Sequence, residues 1–352
     1  MTRIDEKKLD AFVGQALGDL AAGFGGVMVS LGHKSGLYRA MRGGGPMSAA
    51  RIAERAACAE RYVREWLNSQ AAGGYVVYDA AHDTYELPPE QALVLADEDS
   101  PVFVPPAWEV PASVWFDEER LLHAFRTGEG LAWSDHHERL SCGSAAFFRA
   151  PYRANLVSAW LPALDGVVES LERGARVADV GCGHGHSTLL MAEAFPNSRF
   201  IGFDAHPDSI VAASDNARQA GVDDRVEFRV ATAKGFPGKD YDLVCFFDCL
   251  HDFGDPVGAA RHVKEALAPD GMVMLVEPFA HDRIEDNLNT IGRLFYCGST
   301  AICCPHSLSE EVGMALGAQA GESRLAKIFE EAGFRGFRRV AENPFNRIFE
   351  AR

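Results

Sequence analysis

The segment of residues 176–204 constrains the fold of this 352-residue chain more than any other part. It begins with a short apolar run and continues through a turn that contains Gly181, Gly183 and Gly185. A helical pattern and a second apolar run follow, and that run ends at Asp204. Glycine lets the backbone bend sharply and pass close to a ligand. The segment therefore predicts a strand, a ligand-binding turn, a helix and a second strand, the building unit of a parallel α/β sheet.

The spacing of the glycines distinguishes between classes of adenosine cofactor. A dinucleotide site has the pattern Gly-x-Gly-x-x-Gly, whose third glycine allows close packing against the pyrophosphate. Here His186 occupies that third position, and Asp179 stands two residues before the first glycine. A carboxylate there would repel a pyrophosphate but suits a ligand with a sulfonium and an ammonium group. Asp204 is placed to accept hydrogen bonds from two ribose hydroxyls. The pattern favours S-adenosylmethionine (SAM) over NAD.

Short apolar runs and helical patterns alternate from residue 176 onward, which is typical of a parallel sheet with helical crossovers. The predicted strands are Arg176–Val180, Arg199–Phe203, Val226–Val230, Asp242–Phe247 and Met272–Val276, with helices over Ser187–Phe195, Ser209–Ala220, Pro256–Leu267 and Ser323–Ala332. We expect the third strand near an edge and the continuously apolar fourth strand at the centre. Residues 277–321 are predicted to be irregular, and 334–340 and 346–351 to form a hairpin. The predicted fold is a doubly wound, Rossmann-like α/β sheet.

Residues 46–87 carry a different pattern, which predicts a winged helix. Ser48 can cap a helix that runs to Ala57, and a second helix covers Glu60–Ala72. A small hairpin of Tyr75–Tyr78 and Tyr85–Leu87 would then form the wing. Because this is a DNA-binding architecture, a transcriptional regulator that uses SAM as an effector is the alternative to an enzyme.

The charge of the chain argues against a nucleic-acid partner. The formal net charge is −16, and residues 1–95 hold ten Lys or Arg and eleven Asp or Glu. A surface that binds phosphates needs a basic face. The second helix of the winged helix instead presents Glu60, Arg61, Arg64 and Glu65, which is a mixed surface.

Four motifs together resemble a bacterial subgroup of class I SAM-dependent methyltransferases that carry an N-terminal winged helix and are related to small-molecule O-methyltransferases. They are Arg-Tyr-Val-Arg-Glu-Trp-Leu at 61–67, Val-Gly-Cys-Gly-His-Gly at 180–185, Asp-Cys-Leu-His-Asp at 248–252 and Val-Glu-Pro at 276–278. The resemblance implies a winged helix without DNA contacts that forms a homodimer interface. It also implies three parts: a dimerisation domain over 1–95, a helical linker and pocket wall over 96–160, and a SAM-binding methyltransferase domain over 161–352.

The end of the predicted fourth strand carries the candidate catalytic residues. His251 is the residue there whose side chain is suited to take a proton near neutral pH. The resemblance implies that His251-Asp252 matches the His-Asp pair that supplies the general base of plant phenol methyltransferases. Glu277 ends the neighbouring strand and could orient the imidazole. The alternative is that His251 is only a wall of the pocket.

The predicted cofactor site extends over four strand ends. Many relatives have an Asp after the third strand that holds the adenine amino group, whereas this chain has Ala231-Thr232-Ala233, in which Thr232 can still form a hydrogen bond. The predicted cofactor-binding residues are Asp179, Gly181, Gly183, Gly185, His186, Asp204, Ala205, Thr232, Ala233, Phe247 and Asp248.

Composition and cysteine usage predict a cytoplasmic protein that contacts no membrane. No apolar run approaches the roughly 20 residues that span a bilayer, and no signal-peptide core follows the charged N-terminus. The eight cysteines show no disulfide framework. Cys297, Cys303, Cys304 and His306 fall close together but lack the C-x-x-C pairs of zinc sites, so we expect a lid with buried thiols and no metal.

Residues 101–150 are rich in Trp and Phe, which predicts either a core between two domains or the wall of an apolar pocket. With the cofactor motif, this pattern predicts a SAM-dependent methyltransferase, and the resemblance implies that it is a homodimer. Its expected reaction is transfer of the SAM methyl group to a small, largely apolar acceptor by O-methylation.

Overall fold

The computed structural model describes residues 4–352, which divide into two compact units at Glu109 and Val110. The first unit contains helices and a small hairpin. Its helices are α1 (Glu6–Lys34), α2 (Leu37–Met41), α3 (Ala49–Ala56), α4 (Glu60–Ala72) and α5 (Pro89–Leu95), and its strands are β1 (Val77–Asp79) and β2 (Thr84–Glu86).

Helices α3 and α4 and the β1–β2 hairpin form the predicted winged helix. Helix α4 has the predicted bounds, and Ser48 caps α3 by accepting a hydrogen bond from the Arg51 N–H at 3.3 Å. Trp66 of α4 lies in the core of this unit, and its indole N–H donates to the Met28 carbonyl of α1 at 2.8 Å. That bond attaches the long first helix to the winged helix.

Helix α1 was not predicted. Asp5 caps it through the backbone N–H groups of Lys7 and Lys8. Among residues 4–352 it is the one helix that is long and apolar enough, by length and composition, to cross a membrane. This corrects the expectation that no apolar segment reaches that length, which considered only uninterrupted apolar runs. The same criterion is met by signal sequences and by the core helices of other proteins, so it does not by itself assign a membrane.

The second unit contains the remaining elements. Its helices are α6 (Glu109–Phe116, at the division), α7 (Glu118–Thr127), α8 (Arg139–Asn155), α9 (Val167–Arg173), α10 (His186–Ala194), α11 (Pro207–Ala220), α12 (Pro256–Ala266), α13 (Thr290–Gly298), α14 (Cys304–Ser309) and α15 (Glu322–Glu331). Its strands are β3 (Arg176–Val180), β4 (Arg199–Asp204), β5 (Val226–Val230), β6 (Tyr241–Phe247), β7 (Leu267–Pro278), β8 (Phe337–Glu342) and β9 (Asn346–Ala351).

These strands form a seven-stranded sheet in the order β5-β4-β3-β6-β7-β9-β8. The five strands from β3 to β7 pair in parallel, and β9 pairs antiparallel with both β7 and β8. Strand β5 lies at an edge and β6 at the centre, as predicted. The strand order reverses between β3 and β6, and such a reversal opens a crevice at the carboxyl ends of the strands.

Alternate residues of the central strands pack on opposite faces of the sheet, as the two-residue period of a strand requires. Val177 and Leu243 contribute to one buried cluster, which also contains Trp160 and Met191. The neighbouring residues Ala178 and Val244 contribute to the other cluster, together with side chains of α12 and α15. Apolar residues on both faces explain why β3 and β6 are nearly continuous apolar runs.

The prediction of an irregular segment over residues 277–321 is wrong in its middle part. Helix α13 begins after Asn289, whose side chain accepts a hydrogen bond from the Gly292 N–H at 2.9 Å. A π-helical turn, Ser299–Cys303, joins α13 to α14. Gly, Ser, Thr, Cys and Pro in this segment have low helix propensity, and tertiary packing overrides it.

Candidate cofactor and acceptor site

A cavity of about 720 Å³ lies at the carboxyl ends of the parallel strands in the second unit. This volume is within the range of small-molecule sites, and open α/β sheets bind ligands at this place. The predicted cofactor residues that line it are Gly181, Gly183, His186, Asp204, Ala205, Thr232, Ala233, Phe247 and Asp248. The predicted residues Asp179, Gly185, His251 and Glu277 lie behind this lining.

The glycine turn between β3 and α10 requires glycine for two different reasons. Gly181, Gly183 and Gly185 all have positive φ, at 76°, 52° and 78°, which disfavours any other residue. Gly185 is also closely packed, because a Cβ atom there would lie 2.4 Å from the ring of Phe228. Gly181 and Gly183 face the cavity, whereas Gly185 allows α10 to approach the sheet.

The carboxylate of Asp204 is held in place at the end of β4. One oxygen accepts a hydrogen bond from the Gly183 N–H at 2.9 Å, and the other accepts from the His206 N–H at 2.8 Å. Burial raises the pKa of Asp204, although both hydrogen bonds oppose this shift. The carboxylate lines the cavity and retains lone pairs for a ligand. Its geometry suits the two hydroxyls of a ribose.

Asp179 is fully buried beneath the turn and does not line the cavity. One of its oxygens accepts hydrogen bonds from the hydroxyls of Ser187 and Thr188, both at 2.6 Å, in the first turn of α10. Burial raises the pKa of Asp179 to about 6. These bonds anchor α10 to β3. The predicted attraction of Asp179 for the SAM ammonium group stays a prediction.

Asp248 follows β6 in a strained conformation, with φ of 50°. Such strain in a residue other than glycine is concentrated at functional sites. Its two oxygens accept hydrogen bonds from the Tyr152 hydroxyl at 2.8 Å and from the Asn346 side-chain amide at 2.7 Å. Burial, and then the nearby charge of Glu277, raise the pKa of Asp248 to about 8. The cavity wall thus contains a carboxyl group without a cationic partner in contact.

The structure brings the two predicted catalytic residues together. The Nδ1 atom of His251 lies 2.6 Å from Oε2 of Glu277, and both side chains are buried. On the other side, Nε2 lies 3.2 Å from Oδ1 of Asp252, which does line the cavity. Burial lowers the pKa of His251, but the carboxylates of Asp252 and Glu277 outweigh it and hold the pKa well above the usual value. The imidazole therefore connects a cavity carboxylate to a buried one.

The rest of the cavity wall lies outside the predicted set of cofactor-binding residues. It includes Trp133, Ser141, Ser144, Phe148, Tyr152, Phe253, His306 and Glu310. Two of these aromatic residues, Phe148 and Tyr152, stack with ring centroids 5.6 Å apart. The Trp133 backbone N–H donates to Nδ1 of His306 at 3.2 Å, which ties the wall to α14. The aromatic density of residues 101–150 left both a core between two domains and a pocket wall open, and it did not identify which rings line the cavity.

Comparisons with known proteins agree with this geometry. The sequence profile of a Rv2258c-like winged HTH domain matches residues 23–97, and the profile of a methyltransferase domain matches residues 171–333. The 27-O-demethylrifamycin SV methyltransferase of Amycolatopsis mediterranei is 34% identical over 107 residues, which are 30% of this chain and 39% of that protein. The chain spans less than half the length of such curated relatives.

Solved structures are similar over the whole chain. Human N-acetylserotonin methyltransferase in complex with SAM has a TM-score of 0.70 at 16% identity, covering 100% of this chain and 99% of that one. An O-methyltransferase family protein from Burkholderia thailandensis has a TM-score of 0.68 at 17% identity, again covering 100% and 99%. These likenesses confirm the predicted fold class.

The matched profiles coincide with the two patterns in the sequence. The winged-helix profile covers α3, α4 and the hairpin, and the methyltransferase profile covers the strands from β3 to β7 with the glycine turn and Asp204. Residues 23–97 thus resemble a Rv2258c-like winged HTH domain and residues 171–333 a methyltransferase domain, in the segments where the motifs predicted a winged helix and a SAM-binding sheet.

Proposed function

We propose that this protein is an enzyme that transfers the methyl group of SAM to a hydroxyl group of a small, largely apolar acceptor. The observation that carries the proposal is the composition of one continuous cavity. One part of its lining consists of the glycine turn and Asp204, and another part is aromatic. Human N-acetylserotonin methyltransferase, which resembles the whole chain, has been solved with SAM bound.

The residues of the glycine turn and the strand ends fit SAM. When bound, SAM supplies a methyl group on a positively charged sulfonium. Asp204 would hold the ribose hydroxyls, and the backbone of Gly181 and Gly183 would approach the methionine part. His186 at the start of α10 is neutral, because burial and then the charge of Arg149 lower its pKa to about 4. Asp248 lines the cavity and would present its carboxyl group to the cationic part of the cofactor.

The acceptor part of the cavity suits a neutral, flat molecule. Trp133, Phe148 and Phe253 provide apolar surface. Lys234 is the one Lys or Arg among the lining residues of the described chain, and it is already paired with Asp255 at 3.2 Å and Glu311 at 2.9 Å. An anionic acceptor would therefore find carboxylates without a free cation, which disfavours it.

When the methyl acceptor is a hydroxyl group, its proton passes to the proton-accepting chain formed by Asp252, His251 and Glu277. Asp252 lines the cavity and receives the proton, His251 accepts it at Nε2, and Glu277 at Nδ1 stabilises the imidazolium. Holding the acceptor in line with the methyl group, away from water, supplies the larger part of the acceleration. A carboxylate or amine acceptor would need no base, and His251 would then be a wall residue.

The proposed assembly is a homodimer that pairs through α1. Val13, Leu17, Leu20, Phe24, Val27 and Leu31 are all exposed and alternate at spacings of four and three residues. This spacing places them on one helix face, and it is the apolar repeat of a two-helix seam. The buried residues of α1, Gly26, Val29 and Gly32, lie on the opposite face. A second copy of this chain offers a matching seam.

The alternative function, a DNA-binding regulator with SAM as effector, has less support. On α4, Arg61 pairs with Glu65, and Arg64 pairs with Glu60 and Asp83. These pairs neutralise the basic residues of the helix that would enter a DNA groove. All eight cysteines are free thiols, which favours a reducing compartment and the proposed cytoplasmic location.

Replacing Asp204 tests the cofactor assignment. Loss of a carboxylate that accepts from two ribose hydroxyls should cost on the order of 2–4 kcal/mol, so Asp204→Ala should bind SAM at least tenfold more weakly in calorimetry. The exposed carboxylate of Asp208 in the next helix provides the control, and Asp208→Ala should bind normally. SAM affinity of Asp204→Ala within threefold of the wild type would refute the assignment, and NAD should give no heat.

Replacing His251 tests the proton-accepting chain, with transfer from radiolabelled SAM to a phenol chosen from a panel. General-base help is worth about 10² to 10⁴ in rate, so His251→Ala should lose that much turnover while SAM affinity stays close to that of the wild type. His82→Ala, in the hairpin loop, is the control. A His251→Ala enzyme with more than about a tenth of the normal rate, chemistry being rate-limiting, would leave positioning as the mechanism.

The same assay has a predicted pH dependence. Because the flanking carboxylates raise the pKa of His251, its imidazole becomes neutral only above the ordinary range near 6.5, and turnover should rise with pH beyond that range. Glu277→Gln removes one of these charges. It should lower the maximal rate and shift the rise of turnover to lower pH. A rise at the same pH as in the wild type would contradict the pairing of His251 with Glu277.

Replacing Leu20 tests the dimer. A charge in the apolar seam should separate the copies, so Leu20→Glu should be monomeric by analytical ultracentrifugation where the wild type is dimeric. Gln15→Glu adds the same charge on the other side of α1 and should remain dimeric. A wild-type monomer, or a Leu20→Glu dimer, would contradict the proposal. A wild-type monomer that sediments with lipid vesicles would instead assign α1 to a membrane.

A further inference from the structure

The helix over residues 290–309 contains an irregular turn at its middle. Helices α13 and α14 are joined by the π-helical turn Ser299–Cys303, with all of its flanking residues in right-handed helical conformation. A π turn is rare, occurs mostly as a single turn inside an α-helix, and is frequent at functional sites. Pro305 supplies the local cause, because its ring would clash with the carbonyl of Ala301 in a regular α-helix.

This turn places one thiol beside the proposed proton-accepting chain. Cys303 is buried, and its Sγ atom lies within 4.8 Å of the nearest ligand atoms of His251 and Asp252. Burial, and then the charge of Asp252, raise the pKa of Cys303 to about 12, so the sulfur stays a protonated thiol. Oδ1 of Asp252 is buried and accepts no aligned hydrogen bond from the part of the chain that the structure describes. The thiol therefore lies close to His251 and Asp252, where a carboxylate oxygen of Asp252 still lacks a hydrogen bond.

The segment that carries the thiol is attached firmly to the same strand end. The Ser307 hydroxyl of α14 donates to the Phe253 carbonyl at 2.8 Å, and the Gly317 N–H donates to the His251 carbonyl at 3.2 Å. Ser299, at the other end of the π turn, accepts from the Ala318 N–H at 3.1 Å. These bonds fix the distance between the π turn and the strand end, so the contact of the thiol with His251 is a property of the fold.

We propose that Cys303 is a positioning residue of the proton-accepting chain: the π turn holds its sulfur close to the imidazole of His251 and the carboxylate of Asp252. The inference rests on the proposed function. Sulfur is a weak hydrogen-bond acceptor, and here it supplies a partner for Nε2–H when Asp252 turns toward the cavity. The nearby sulfur stabilises the imidazolium and keeps Nε2 directed toward the carboxylate of Asp252. Cys303 touches no substrate in this account and acts only through His251.

The pH response of His251 reports this contact, because few groups face the imidazole. In the described part of the chain, the titratable groups that act on it most include Glu277 on β7, Asp252 on its own turn, Asp248 after β6 and Cys303 on the π turn. Three of them are carboxyl groups that remain when Cys303 is replaced. A change in the titration of His251 in a Cys303 variant therefore measures the contribution of the sulfur.

The test is an NMR titration of the full chain with ¹³C-labelled histidine, in which His251→Ala identifies the His251 signal. Removing the sulfur removes a partner of the imidazolium, so Cys303→Ala should lower the titration midpoint of His251 by about half a pH unit. Cys303→Val should lower the midpoint in the same way while it fills the space of the thiol. It replaces the alanine variant in the test if that variant is unstable. Cys303→Ser keeps an acceptor and should stay close to the wild type.

The neighbouring thiol provides the matched control, because Cys304 contacts Ser299 and not the proton-accepting chain. Cys304→Ala should leave the His251 midpoint unchanged. An unchanged midpoint in both Cys303→Ala and Cys303→Val would overturn the proposal. The titration needs no methyl acceptor, so a protein that shifts as expected but transfers no methyl group would contradict the proposed function alone.

Discussion

The second unit is organised around carboxylates buried at one edge of its sheet. Asp179, Asp248 and Glu277 are buried and Asp204 is half-buried, at or near the carboxyl ends of four neighbouring strands. Burying such charges costs several kcal/mol each unless partners stabilise them. Two receive hydroxyl or backbone donors, and Glu277 receives the imidazole of His251. Asp248 receives only the neutral groups of a tyrosine and an asparagine. This edge is therefore deficient in positive charge, which a cationic ligand such as the SAM of the proposed function would offset.

The positions of these groups depend on the topology of the sheet and on contacts between distant residues. The reversal of strand order between β3 and β6 leaves a crevice that the glycine turn borders. Tyr152 and Asn346, which hold Asp248, lie about a hundred residues away from it on either side in the sequence. Helix α8 and strand β9 must both be in place before Asp248 has its hydrogen bonds. Cofactor binding and correct packing of the second unit are thus coupled.

Local patterns predicted the sheet well. The predicted bounds of β3 and β5 coincide with the observed ones, because apolar periodicity and flanking turn residues are local signals. The motif residues that line the cavity followed from the same signals.

The sequence did not show that Asp179 faces away from the cavity, since that depends on the direction of one side chain in a buried strand. His306 was not expected to line the cavity, because its role arises from contacts made across the fold. Helix α1 was not predicted because most of its apolar residues are exposed. They do not pack into a core of this chain, so the pattern of a buried helix face did not reveal them.

The central claim is that the cavity is built for the positive charge of SAM, and proton release on binding measures it most directly. In the free protein the pKa of Asp248 is about 8, so at neutral pH its carboxyl group is mostly protonated. A cation placed beside it lowers that pKa, and the carboxyl group must then release a proton. Calorimetry of SAM binding at neutral pH in two buffers of different ionisation enthalpy gives the number of protons released. We predict net release with SAM, less release with the uncharged sulfur of S-adenosylhomocysteine, and little with SAM in Asp248→Asn. Binding of SAM without proton release, or equal release with both ligands, would contradict the account.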